Sequence, residues 1–383
     1  MPSCVKKICL VVGTRPEAIK MAPVIKELKR FPSRYDVVVL STGQHDSMLK
    51  QAFVVFDIVP DINLKVMKAG QPLAELSSKL LDGLNKAFRG INPDLILVHG
   101  DTTSALVASQ VGFYNAIKVG HVEAGLRSGS VFSPFPEEYN RRAISLVSDY
   151  HFAPTKQAAK CLLSEGINET SIVKTGNTVI DALLLTFNRI EENKSLRRRL
   201  KSSLNMLLQF DLETDRFILI TTHRRENIGD GITNICDAIT DLANVNPSFY
   251  FVLAVHLNPA FKNLIEERLS GISNIRLIPP QDYYTFVWLL KECYLALTDS
   301  GGIQEEAPAF GKPVLVMRDT TERPEAIDAG VAKLVTARAD VITRETQLLI
   351  DDYSSYTSMV CATNPFGDGK AAQRIERFLR NAH

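Results

Sequence analysis

Leu297-Thr298-Asp299-Ser300-Gly301-Gly302-Ile303-Gln304-Glu305-Glu306 carries an apolar run through a Ser-Gly-Gly turn into a helical pattern. A junction of this kind makes an anion site. Two consecutive glycines let the backbone approach a ligand closely, and the helix start that follows aims unpaired N–H groups and the positive end of its dipole at a phosphate. Glu306, about one turn further on, is placed to accept hydrogen bonds from a ribose next to that phosphate. Read alone, the same residues also make an ordinary strand-to-helix turn in which Glu305 and Glu306 complement the dipole. Pro308 predicts a short helix or a late-starting ladder, with Gly311 as its stop.

A second set of polar residues gathers at strand ends. His99, His121, His223 and His256 each close an apolar run or sit just beyond it, and Asp101, Glu123 and the Glu137-Glu138 pair fall in the same loops. Together they predict a shared crevice. Arg15, Arg127, Arg141, Arg142, Arg224 and Arg225 lie in or near these loops, and Lys20 stands one turn into the helix after Arg15. That inventory suits an anionic ligand better than a cation, and the chain has no HExxH, so no metal site is expected.

The elements that must position these groups follow a regular rhythm. Apolar runs at Val5–Val12, Tyr35–Leu40, Leu95–Val98 and Ile117–Val119 alternate with helical patterns, His151–Pro154 and Ile172–Lys174 follow, and the rhythm restarts at Phe217–Thr221, Phe249–Val255, Ile275–Ile278, Tyr294–Leu297 and Pro313–Met317. The pattern predicts an α/β protein of two doubly wound, parallel-sheet halves facing a central cleft. The expected division is an N-terminal domain over 1–176, completed by a C-terminal helix at 367–383, and a second domain over 177–366. A length of 383 residues agrees with two cores.

Composition narrows the function further. A formal net charge of +1 argues against nucleic acid or a membrane surface as the main partner, and the basic run Lys194–Lys201 reads as a solvated helix face because no aromatics interleave it. Six cysteines without a CxxC pair suit reduced thiols. Ile8–Val12 is too short an apolar run for a signal peptide or a membrane span, so a cytoplasmic protein is expected. Neither half contains GxGxxG, which leaves a dinucleotide cofactor without a seat.

GTRPEAIKMAP, VHGDTTS, GHVEAGLRSG, SPFPEEYNR, TGNTVIDAL, HRREN, HLNP, DSGGIQEEAP, GKPVLVMRDTTERPEA and NPFGDG occur in that order along the chain. In content, order and spacing they closely resemble the non-hydrolysing UDP-N-acetylglucosamine 2-epimerases. The resemblance implies the two-domain GT-B fold, a UDP-sugar substrate, no cofactor and a homodimer. It carries the family's nucleotide contacts to Arg15, Lys20, His223, Gln281, Phe286, Ser300, Gly301, Gly302, Glu306 and Arg323, with His223 also counted among the catalytic residues. Its catalytic carboxylates fall on Asp101, Glu123 and Glu137. After Gln44-His45 the chain departs from the pattern, with Asp46-Ser47 where members usually carry Arg and a longer polar residue. That position is close to the site at which some members bind UDP-N-acetylglucosamine as an activator. Gln44, His45 and His256 are therefore the candidate regulatory residues, and activation by substrate is left open.

The implied reaction interconverts UDP-N-acetylglucosamine and UDP-N-acetylmannosamine. The C2 proton is not next to a carbonyl, so departure of UDP from C1 must acidify it first, giving a glycal to which proton and UDP return with C2 inverted. The expected division of labour gives the proton to Asp101 and Glu137 and stabilisation of the cationic carbon to Glu123. A hydrolysing 2-epimerase that releases N-acetylmannosamine, or an epimerase of a related UDP-2,3-diacetamido sugar, stays open as an alternative.

Overall fold

The computed structural model describes residues 5–43, 46–66, 70–224, 227, 229–255 and 259–382. The chain divides into two compact units, Met1–Leu185 together with Phe366–His383, and Thr186–Pro365. Each is built on a wholly parallel sheet, and together they make a GT-B-like fold.

In the first unit the strands are β1 (Lys6–Val12), β2 (Tyr35–Ser41), β3 (Ile62–Asn63), β4 (Leu95–His99), β5 (Lys118–Val122), β6 (Tyr150–Ala153) and β7 (Ile172–Lys174), in the sheet order β3-β2-β1-β4-β5-β6-β7. Ile8 to Val12 and Leu95 to His99 are buried without alternation, because helices cover both faces of a parallel sheet. The helix Arg15–Lys29 starts where the sequence predicts. Thr14 caps it, Glu17 closes a capping box, and Pro16 sits in the first turn where it costs no hydrogen bond.

The second unit repeats the plan with β8 (Arg216–Thr221), β9 (Phe249–Ala254), β10 (Ile275–Ile278), β11 (Leu295–Thr298), β12 (Val314–Val316) and β13 (Ala332–Leu334), in the order β10-β9-β8-β11-β12-β13. In both sheets the order reverses once, between β1 and β4 and between β8 and β11. At such a point the helices on either side of the break leave to opposite faces, so the loops beyond the strand ends splay apart and open a crevice. Two edge strands escape the sequence rhythm. β3 and β13 are two and three residues long, and their neighbours' free backbone groups rather than their own pattern make them strands.

Helix Lys194–Leu208 buries Leu196, Leu200, Leu204 and Leu208 and turns its basic residues outward. Arg197 and Lys201 pair there with Glu213 at 3.0 and 2.5 Å, as expected of a solvated face. The last helix, Ala371–Asn381, belongs to the first unit. Asp181 accepts its first two N–H groups, from Ala371 at 3.1 Å and Ala372 at 2.9 Å, and Phe378 lies edge-on to the rings of Tyr150 and Phe152. No described helix is long and apolar enough to cross a membrane.

Gly125 and Gly129 separate two costs of adding a side chain. Both have positive φ, 92° and 87°, but a Cβ on Gly125 would meet the Ala158 carbonyl oxygen at 2.3 Å whereas one on Gly129 meets open space. Gly129→Ala should cost about 1 to 2 kcal/mol, the left-handed backbone term alone. Gly125→Ala should cost roughly 3 kcal/mol or more, since backbone must move as well. Denaturant titration followed by circular dichroism checks the difference between the two.

Candidate active site

The reversal point of the first sheet is knitted together by side chains. Glu17 is buried, its Oε2 accepts the N–H groups of Gly13 and Thr14 at 3.1 and 2.7 Å, and its Oε1 accepts the Thr102 hydroxyl at 2.8 Å. The loops after β1 and β4 are therefore tied through one carboxylate. Burial pushes that carboxyl up to about 7 against the hydrogen bonding with Thr14, Thr102 and Gly13 that lowers it. Thr42, beyond β2, adds a hydroxyl contact to Ser104 at 2.9 Å.

The expected catalytic carboxylates collect beside this knot. Asp101 pairs with Arg141 at 2.5 Å, and its backbone carbonyl accepts from Asn140 at 2.7 Å. Desolvation raises the Asp101 carboxyl, Arg141 opposes it, and Glu123 and Glu137 are near enough to raise it further. Glu123 pairs with Lys20 at 2.5 Å, and its backbone is left-handed at φ 68°. A non-glycine residue in that region costs of order 1–2 kcal/mol, a strain of the kind that gathers at functional sites. Glu137 begins the helix Glu137–Val147, and its Oε2 is buried without a hydrogen-bond partner. Its neighbour Glu138 is the structural one of the two, accepting from Ser128 at 3.1 Å and Arg142 at 2.8 Å. Arg15 is half-buried in the first turn of its helix.

Two of the four histidines prove to be scaffold. His121 Nε2 lies 2.7 Å from the Gly100 carbonyl, which can only accept, so that nitrogen carries the hydrogen. Burial drives His121 down to about 3 and His99 to about 4, the latter despite Glu123 at 3.7 Å. Both rings are neutral near pH 7. They shape the floor and do not supply charge.

At the reversal point of the second sheet the central group is Asp299, fully buried at the end of β11. It accepts the Thr222 hydroxyl at 2.9 Å, the His223 and Arg224 N–H groups at 3.0 Å each, and the Asn227 amide at 3.0 Å. His223 Nδ1 stands 3.1 Å from its other oxygen. Burial alone would raise this carboxyl, but the His223 side chain and these loop donors hold it below the usual range. The imidazole is thereby oriented with Nε2 turned away from Asp299, while its side chain stays about two-fifths exposed.

Ser300 then stands at the N-cap position of the short helix Gly301–Glu306, which runs into the turn Ala307–Phe310 and stops at a left-handed Gly311, as Pro308 and Gly311 predict. A Cβ on Gly301 would sit 3.9 Å from the guanidinium groups of Arg224 and Arg323, so both cations flank the glycine turn. Arg323 is held there by an ion pair with Glu305. Glu306 is buried and accepts the Tyr283 hydroxyl at 3.2 Å. Phe286 is half-buried on the same helix as Tyr283, and Gln281, just before it, donates to the Pro279 carbonyl at 2.6 Å. The result is an anion cradle of N–H groups, one imidazole and two guanidiniums, with a carboxylate at its rim.

Lys20, Asp101, Glu123 and Glu137 are thus brought together in one unit, and His223, Ser300, Gly301, Gly302 and Arg323 in the other. Gln44, His45 and His256 lie outside the described residues, as does Arg225. Sequence reasoning did not single out Glu17, Asp299 or Tyr283. Asp299 carried the strongest available signal, an acid between a buried strand and a glycine turn, where a carboxylate must find loop N–H donors. Among the described residues no group of three or more His, Cys, Asp or Glu side chains could hold a metal ion.

The family model described as UDP-N-acetylglucosamine 2-epimerase matches residues 26–380. The chain is 48% identical over 376 residues to the UDP-N-acetylglucosamine 2-epimerase of Yersinia pestis, covering 98% of each. It is 47% identical over 377 residues to that of Campylobacter jejuni, covering 98% of this chain and 97% of the relative. The crystal structure of UDP-GlcNAc 2-epimerase from Neisseria meningitidis bound to UDP-GlcNAc superposes with a TM-score of 0.90 at 44% identity, covering 98% of this chain and all of the other.

Asp299→Asn replaces an acceptor-only group with one that must point an NH2 at loop donors. It should weaken binding of inorganic pyrophosphate by about tenfold or more with the fold intact, as read by calorimetry and circular dichroism. The C–H resonances of the His99 and His121 rings should stay flat between about pH 5.5 and 8. An unfolded histidine takes its proton near 6.5, well above the values of about 4 and about 3 in the fold. These two rings therefore stabilise the protein fully above pH 6.5, and that contribution is lost as pH falls from there toward 4. Thermal melts across that range check the sign.

Proposed function

As the chain belongs to the UDP-N-acetylglucosamine 2-epimerase family and is an isomerase, we propose that it interconverts UDP-N-acetylglucosamine and UDP-N-acetylmannosamine by eliminating UDP to a 2-acetamidoglucal and adding it back. The first unit supplies the proton chemistry and the second holds UDP. The observation that carries this reading is the pairing of chemistries, an anion cradle at one sheet's reversal point and a carboxylate cluster at the other's. A nucleotide sugar that must lose a diphosphate and then a proton needs both.

In the first step the C1–O bond breaks with its electron pair leaving on the β-phosphate of UDP. The Ser300–Gly302 turn, His223 and Arg323 stabilise that charge, with Arg224 beside them. Oriented donors of this sort are often the largest catalytic contribution, because they need no reorganisation as charge develops. Glu123 faces the electron-poor carbon, its own charge balanced by Lys20. Asp101 and Glu137 then handle the C2 proton, one removing it and one returning a proton to the opposite face. Asp101 suits this work because desolvation raises it while Arg141 restrains the rise. Glu306 accepts from the ribose, and Gln281 and Phe286 flank the nucleoside. UDP re-adds at C1, so no bond is hydrolysed and no electron is lost overall. The working form in this reading is a homodimer.

Incubation with UDP-N-acetylglucosamine in D2O, followed by proton NMR, should give UDP-N-acetylmannosamine with deuterium at C2. Oxygen-18 placed in the C1–O–P bridge should scramble among the β-phosphate oxygens. Protium retained at C2 would overturn the elimination route, and free N-acetylmannosamine as the main product would move the protein to the hydrolysing branch. Asp101→Asn should lower kcat by about 10² to 10⁴. Its affinity for UDP should stay within about threefold of the wild type, since the nucleotide contacts lie elsewhere.

A further inference from the structure

We propose that Glu17 is a positioning residue for the epimerisation, acting as the brace that holds the Arg15 loop and the Asp101 loop in one register. The proposal rests on the catalytic reading above and extends it to a residue that touches neither nucleotide nor sugar there.

The capping box accounts for only part of what Glu17 does. A box needs the Thr14 hydroxyl to accept the Glu17 N–H, at 3.4 Å, and the Glu17 carboxylate to accept the Thr14 N–H, at 2.7 Å. Here the same carboxylate also takes the Gly13 N–H, and with its second oxygen reaches across to the Thr102 hydroxyl, 85 positions away in sequence. Thr102 is itself the cap of the helix Thr103–Tyr114, accepting the Ala105 N–H at 3.0 Å. One carboxylate thus fixes the starts of two helices on either side of the sheet's reversal point. Arg15 directly follows Thr14, and Asp101 directly precedes Thr102, so each anchored residue is a chain neighbour of a group assigned to bind or react. The Thr14 hydroxyl caps the first helix on its own account; the Glu17 side chain is long enough to close the box and also to span to Thr102. The cost of burying the acid is met for geometry at the sheet break.

The acceptor pattern makes the role testable by shape. In Glu17→Gln the amide oxygen can take the two backbone donors while its NH2 donates to the Thr102 oxygen, so the brace survives with one hydrogen bond reversed. In Glu17→Ala all three contacts vanish. Thr102→Val removes the far anchor together with the Thr102–Ala105 cap, and Thr102→Ser keeps both. Steady-state epimerisation and UDP affinity should be measured for each, with circular dichroism to fix the folded fraction. We expect Glu17→Ala to lower kcat about 30-fold or more, and Thr102→Val about tenfold, because small misplacements of reacting groups are costly. Glu17→Gln and Thr102→Ser should stay within about threefold, and the Glu17→Ala/Thr102→Val pair should lose clearly less than the product of the two single losses, as expected of partners in one contact.

Losses that multiply in the double variant would overturn the brace, as would a Gln variant as impaired as Ala, or losses that match the unfolded fraction. If Glu17→Ala does not fold, Thr102→Val against Thr102→Ser and Glu17→Gln decides by the same criteria. Failure of the wild type to epimerise UDP-N-acetylglucosamine would instead strike the catalytic reading itself.

Discussion

Each sheet of this protein breaks its strand order once, and a buried carboxylate closes each break. Parallel strands that diverge at such a point leave loop N–H groups facing a crevice with no ladder to satisfy them. Glu17 answers that need between β1 and β4, and Asp299 answers it between β8 and β11. A carboxyl group has two oxygens with several lone pairs, so it can gather N–H and O–H groups from several directions at once. The two solutions are mirror images in chain order. Glu17 comes from the helix after the first strand and reaches the fourth-strand loop, whereas Asp299 sits at the fourth-strand position and gathers the loop after the first.

Around these anchors the two units differ in charge. In the first unit every assigned acid but one has a cation in contact, Asp101 with Arg141 and Glu123 with Lys20. Such pairing keeps three carboxylates in one neighbourhood at tolerable electrostatic cost. In the second unit the balance runs the other way, since Arg224, Arg323 and His223 crowd a turn whose helix already presents positive dipole. Glu305 and Glu322 keep two of those cations in place, Arg323 by a direct pair and Arg224 at 3.8 Å.

Much of this was legible in the order of residues. The Ser300–Gly302 turn, the stop at Gly311 and the strand ends carrying Asp101 and Glu123 all follow from local rules, because apolar runs, glycines and prolines act over a few positions. The anchors were not legible, since the Glu17–Thr102 and Asp299–His223 contacts join residues 85 and 76 positions apart. A local window reads Glu17 as the acid of a capping box with Thr14, and nothing in it points on to Thr102. The charge state of the histidines was not legible for a related reason. His99 and His121 end strands as expected, but they end them inside the protein, and burial rather than position decides whether an imidazole carries charge.

The first unit is not continuous along the chain. Its final helix, Ala371–Asn381, is capped by Asp181 from the other end of a 180-residue excursion that makes up the second unit. A ribosome therefore releases the N-terminal sheet long before the helix that completes it exists. During that interval Tyr35, Tyr150 and Phe152 face water where Glu376 and Phe378 will later lie. Synthesis order thus makes the second unit the first that can be finished, and a nascent chain that stops before Ala371 would carry the whole anion cradle but hold its acid cluster on an incomplete scaffold.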